Sequence, residues 1–103
     1  MDRSMWVVWK YKLEIVDIQS FWMPKHAELL PVQIHRGVPC LWAFCDASNQ
    51  REERHFRIME TEQRYGVEGC MGSHQPPKYI TSFQEGRLVF HVFEVFHNPS
   101  LAA

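Results

Sequence analysis

Six histidines and three cysteines are the residues of this chain best suited to metal or nucleophilic chemistry. Their spacing argues against both. Cys40 and Cys45 are five apart, so on one strand they point to opposite faces. Cys70 and His74 share a segment, but a closed structural zinc site needs four ligands, and there is no Cys-x-x-Cys pair. No metal site is expected. A Cys–His nucleophile would pair Cys40 or Cys45 with His91. An activated thiol needs an electropositive, partly exposed setting. Both cysteines instead lie in the apolar run Val38–Cys45, which predicts inert core cysteines.

Arginines offer a second chemistry. Arg51, Arg54 and Arg57 fall close together and could hold a phosphate, because guanidinium binds oxyanions in a bidentate way. Glu52 and Glu53 lie among them, so a solvated charged face is the competing reading. Arg54, Arg57, His91 and Glu94 have a further distinction: they are polar residues on strands whose neighbours are apolar. Such residues form either a satisfied core network or part of a pocket. With Trp42 as an aromatic platform, these four make up the candidate ligand-binding set. Trp6, Trp9, Trp22, Trp42, Phe90 and Phe96 could stack bases. That mode also needs a basic groove, and a net charge of −1 does not favour one. Core or subunit-interface packing is the alternative for these rings, and an oligomer is compatible with them. No phosphate loop, nucleophile elbow, paired-carboxylate motif or cofactor signature occurs. The residues therefore predict a non-enzymatic binding protein.

The elements that must position these groups are strands. Arg36 to Asp46 (RGVPCLWAFCD) is the stretch around which the rest is expected to fold. Arg36-Gly37 separates Leu30–His35 from Val38–Cys45, and an X-Gly pair between two such runs signals a hairpin. The second run is apolar at both parities, with Cys40, Trp42 and Phe44 opposite Leu41, Ala43 and Cys45. A strand with one wet face would alternate, so this one is expected to be central and covered on both faces. Pro39 has no N–H and belongs at the strand's start or on a bulge.

Upstream, Trp9, Tyr11, Leu13 and Ile15 alternate with Lys10, Lys12 and Glu14, which reads as a half-buried strand. Ile18–Met23 reads as a second strand, paired with the first across a turn at Asp17. Pro24–Glu28 is a turn or a single helical turn, and Leu29–His35 places Leu30, Val32 and Ile34 inward. Downstream, Asp46–Arg54 reads as an exposed hairpin loop. The strand carrying Phe56 and Ile58 is expected to pair back on the central one. Tyr79–Phe83, a turn at Glu85-Gly86, and an interior strand from Arg87 to Phe96 complete the pattern. The expected fold is mainly β: about seven short antiparallel strands in a small sandwich or partly open barrel, with at most one short helix. Residues 1–103 are read as one domain, with flexible ends at 1–4 and 98–103 and a long variable loop at 62–78.

Composition adds bounds. The aromatic share of 14% is high and suits a strand-built core. An odd number of cysteines does not suggest a disulfide framework, and reduced thiols point to a cytosolic setting. No stretch approaches the roughly 20 apolar residues of a membrane span, and the N-terminus reads as free of a signal peptide.

The chain also resembles a family of small proteins, mostly from bacteriophages and prophages, with no assigned function. The residues that carry the resemblance are Trp9-Lys10-Tyr11 with Leu13, Asp17 with Gln19, Met23-Pro24, and Ala27 with Leu30, Val32 and Gln33. It continues through Gly37, Pro39, Leu41-Trp42-Ala43 and Asp46, then Glu53-Arg54 with Phe56-Arg57-Ile58. Tyr79-Ile80, Phe83-Gln84 and His91-Val92-Phe93-Glu94 complete it. The chain departs from the family pattern in the 62–78 loop and at Thr81-Ser82, where Gly-Thr is usual. The resemblance implies a phage-encoded protein in a bacterial host cytoplasm and brings no catalytic residues. The expected function is that of an accessory binding protein, a counter-defence inhibitor that binds a host protein or sequesters a nucleotide-like ligand. A single-stranded nucleic-acid module and a virion or replication assembly factor are the alternatives.

Overall fold

Apolar residues recur every second position along most of this chain, and the structure follows that period into strands. It is a computed structural model and describes residues 4–62 and 76–96. The strands are β1 (Trp6–Lys12), β2 (Ile18–Pro24), β3 (Glu28–His35), β4 (Val38–Asp46), β5 (Arg51–Glu60), β6 (Lys78–Glu85) and β7 (Leu88–Val95). All pairings are antiparallel. They form a three-stranded sheet in the order β1-β4-β3 and a four-stranded sheet in the order β2-β5-β7-β6. The two sheets make a small sandwich-like fold, with neither a helix nor a closed barrel among the described residues.

The core lies between the sheets. Leu41, Ala43 and Cys45 of β4 face inward and meet Met23, Phe56, Ile58, Phe83, Phe90 and Val92 from the other sheet. Trp9, Tyr11 and Phe21 pack against this cluster. Phe83 and Phe90 stack across β6 and β7 with centroids 5.5 Å apart.

Both hairpins occur. At Arg36-Gly37 the two central residues have φ of 52° and 79°, the type I′ geometry that suits twisted strands. The second turn falls at Gly86-Arg87, one residue later than the sequence suggests, because Glu85 still pairs with Leu88. There φ is positive at Gly86, the first central position, as a type II′ turn requires.

Several pairings differ from expectation. β2 does not pair with β1. Residues 13–17 form a corner that carries the chain between sheets, fixed by Leu13 N–H to the Pro39 carbonyl (2.9 Å) and Ile58 N–H to the Asp17 carbonyl (3.2 Å). Ile15 is therefore exposed at the corner rather than buried in β1. β5 begins at Arg51 and pairs with β2 and β7, not with β4, because residues 47–50 form a second corner. β7 is interior, as expected, but in the sheet opposite β4. In β3 the ladder skips a residue between Leu30 and Gln33, next to Pro31, which has no N–H to donate. The bulge changes the parity at Leu30: Leu29 and Val32 pack inward and Leu30 pairs with outward-facing Trp42, while Ile34, of Val32's parity and opposite Pro39 near the strand's end, is exposed. β4 is central as expected, but it is not covered on both faces, since Phe44 remains 41% exposed. The 62–78 loop lies largely outside the described residues, as do most of the two ends; Lys78 already belongs to β6.

Asp46 fixes the corner after β4. Its Oδ1 accepts from Ser48 Oγ (2.6 Å), Met5 N–H (2.9 Å) and Ser48 N–H (3.0 Å). The Ser48 hydroxyl, then the two backbone amides, hold the carboxyl below its ordinary value. A carboxyl depressed in the folded state binds protons more readily when unfolded. Its stabilising contribution is thus complete above the unfolded value of about 3.9. It is lost as the pH falls through the lower folded value. Urea unfolding of wild type and Asp46→Asn should therefore differ most at about pH 7 and converge toward about pH 2. A gap that stays constant with pH would contradict this role.

Candidate functional site

The sequence-derived candidates fall at three places. Arg54 has the same parity as Phe56 and Ile58, and Glu94 the same parity as Phe90 and Val92, so both point between the sheets. Arg54 Nε and Nη2 donate to the two Glu94 carboxylate oxygens at 2.6 and 2.8 Å, and Nη1 donates to the Ala27 carbonyl at 2.8 Å. The Glu94 hydrogen bonds hold the Arg54 guanidinium above its ordinary pKa, against the burial that would lower it. All three Arg54 nitrogens are engaged within the protein, so this pair is a satisfied internal network. Breaking one half of a buried pair strands the other charge. Arg54→Ala or Glu94→Ala should each cost about 3–5 kcal/mol in urea unfolding, whereas Arg54→Met with Glu94→Leu together should cost far less. Equal losses in single and double variants would refute the coupling.

Arg57 and His91 have the opposite parity and sit on the outer face of the four-stranded sheet. Arg57 Nε donates to Asp17 Oδ1 at 3.0 Å. His91 Nδ1 meets Ser82 Oγ at 2.7 Å, and its Nε2 meets Thr61 Oγ1 at 2.8 Å. Tyr79 Oη continues the chain to Ser82 at 2.7 Å. Both ring nitrogens are occupied by hydroxyls, and no carboxylate joins them among the described residues. That arrangement ties β6, β7 and the end of β5 together and lacks the group that would orient a catalytic imidazole.

The cysteines Cys40 and Cys45 are buried and free. Burial, foremost, pushes the Cys45 thiol up, the opposite of what an activated nucleophile needs. No group of three or more His, Cys, Asp or Glu side chains suited to a metal ion occurs among the described residues.

Trp42 stands elsewhere, on the outer face of the three-stranded sheet. Register places Lys10 and Leu30 on either side of it, Lys12 and Gln33 beside Cys40, and Val8 and Glu28 beside Phe44. Trp6 stacks on Phe44 with centroids 5.1 Å apart. The Lys10 ammonium lies 5.8 Å from the Trp42 ring centre, and His35 meets that ring edge-on at 6.2 Å. Between them is a groove of about 340 Å³ lined by Val8, Leu30, Pro31, Gln33 and Trp42. Trp6 is 59% and Val8 53% exposed, so this is a contiguous apolar patch rimmed by polar side chains.

Trp42 and Trp6 stand among the rings singled out from the sequence; Val8, Leu30, Pro31, Gln33 and Phe44 do not. The signal was present. Trp6 and Val8 share the parity of Lys10 and Lys12, so the wet face of β1 begins apolar. β4 is apolar at both parities, and a proline inside β3 marks a bulge that turns Leu30 outward.

The model of a family described as a domain of unknown function (DUF7352) matches the chain over residues 5–101. The chain belongs to this family. No curated protein and no solved structure matches it. The family's description assigns no activity.

Proposed function

We propose that this is a non-enzymatic binding protein whose working surface is the outer face of the β1-β4-β3 sheet. One observation carries the reading: Trp6, Val8, Phe44, Trp42, Leu30 and Pro31 form an apolar surface on one sheet face, with Trp6, Val8, Phe44 and Pro31 exposed and Leu30 and Trp42 half-buried. A sheet face turned to water ordinarily carries polar residues. Contiguous apolar patches with polar rims mark interaction sites, and Trp and Phe are the side chains that most often anchor them. The rim here is Lys10, Lys12, Glu28, Gln33 and His35.

The resemblance to small phage proteins supplies a setting. In that setting the function is that of an accessory protein acting in a bacterial host cytoplasm, a counter-defence inhibitor that occupies a host protein or sequesters a nucleotide-like ligand. A single-stranded nucleic-acid module is the second reading, favoured by an aromatic sheet face with two lysines on it and disfavoured by the net charge of −1.

The test is affinity capture from host cells, with mass spectrometry of proteins and small molecules, using wild type, Phe44→Glu and Trp22→Ala. Trp22 is 61% exposed on the other sheet and serves as a control. Whatever co-purifies with wild type should be lost with Phe44→Glu and kept with Trp22→Ala. Retention by Phe44→Glu would refute the assignment of the face.

A further inference from the structure

We infer that the groove beside Trp42 binds one nucleoside monophosphate, or a ligand of that class, with the planar ring on the indole and the anionic group at Lys10 and Lys12. This rests on the outer β1-β4-β3 face being the working surface, and it names what that surface takes.

The chemistry of the walls decides the class. Val8, Leu30 and Pro31 are apolar, and Trp42 adds a flat aromatic surface, so the groove suits a planar ring rather than a hydrated ion. Gln33 is the polar residue of the lining. Its amide offers both a donor and an acceptor, the pairing that reads a base edge. Lys10 and Lys12 have the same parity on β1 and project from the same face as Trp42, in the rows of Trp42 and of Cys40 and Gln33 respectively. The Lys10 ammonium already lies near the indole. An ammonium on a flexible stem can leave a ring face for a phosphate with little strain. Lys10, Lys12 and Glu28 all stand just outside the groove's lining; the lysines lie in the rows of Trp42 and Gln33, and Glu28 lies in the row of Phe44 and Val8. The site therefore combines a stacking surface, a hydrogen-bonding edge and adjacent positive charge.

Size and charge limit the ligand. A groove of about 340 Å³ lies near the bottom of the roughly 300–1,000 Å³ span of small-molecule sites, which fits one nucleotide better than two. Two lysines are few for a nucleic-acid strand, which would engage a row of phosphates. A single phosphate needs no more.

Calorimetry on the full chain at low salt tests this, with AMP, GMP, CMP and UMP, and with adenosine, inorganic phosphate and an oligothymidylate for comparison. At least one monophosphate should bind. Adenosine should bind about tenfold more weakly than AMP, since it lacks the group that the lysines would meet. Inorganic phosphate alone should give no heat. Trp42→Ala should weaken binding by about 10- to 100-fold, the usual effect of truncating a stacking ring. Trp42→Phe should retain most of the affinity, and an unchanged urea unfolding midpoint for Trp42→Ala separates loss of the stacking ring from unfolding. Lys10→Ala with Lys12→Ala should cost about tenfold and flatten the salt dependence. Gln33→Ala should change the ranking of the four bases.

No heat with any monophosphate overturns the inference, as does an oligothymidylate that binds more than about 100-fold tighter than every monophosphate. If the monophosphates fail while Phe44→Glu still releases a captured partner, the ligand class falls and the working surface stands. If both fail, both readings fall together.

Discussion

The buried pair of Arg54 and Glu94 is the constraint on which the sandwich depends. A guanidinium between two sheets needs partners for its inward-facing N–H groups. Here Glu94 of β7 takes two N–H groups and the carbonyl of Ala27, in the turn leading to β3, takes another. One side chain thus ties two strands of the four-stranded sheet to the connection that enters the three-stranded sheet. At the margin of the sandwich a second arginine meets a ring: the exposed Arg51 guanidinium lies 4.5 Å from the centre of half-buried Trp9, across from one sheet to the other. Arginine suits both places because its planar, weakly hydrated fork sets against carboxylate or ring with less loss than an ammonium.

How much of this could be read from the sequence depended on range. Local signals were reliable. Alternation gave the strands, and the positive φ needed at Gly37 and Gly86 gave the hairpins, the second of them one residue off. The apolar character of β4 marked it as central. Non-local choices were not legible. Nothing in residues 13–17 or 47–50 announces that they are corners between sheets rather than turns within one, because the alternatives differ only in which distant strand is met. The pairing of Arg54 with Glu94 spans 40 residues and could be framed only as network or pocket. Period-two patterning also assumes an unbroken ladder, and the skip beside Pro31 reversed the reading of Leu30.

The candidate site shows the same division. Trp42 could be selected because an aromatic among apolar neighbours is conspicuous. Its setting could not, since the side chains around it come from β1 and β3 and meet only through the register with β4. The four polar candidates turned out to occupy both faces of one sheet, with Arg54 and Glu94 inside and Arg57 and His91 outside. Parity within β5 and within β7 already separates those pairs: residues three apart on a strand cannot share a face. Along β4 the two parities part likewise, with Leu41, Ala43 and Cys45 in the core and Trp42 lining the groove.

The bulge beside Pro31 has a consequence beyond the groove. β3 is an edge strand, and an edge presents unpaired backbone groups to any strand that approaches. The irregularity beside Pro31 breaks the regular spacing of that edge and bends it. The other three edges carry comparable guards: Lys10 and Lys12 on β1, Pro24 at the end of β2, and a register shift between Tyr79 and Thr81 on β6. Each edge is thus a poor template for a foreign strand. A protein that exposes apolar surface on one face is thereby guarded against growing edge to edge into a continuous sheet with its neighbours.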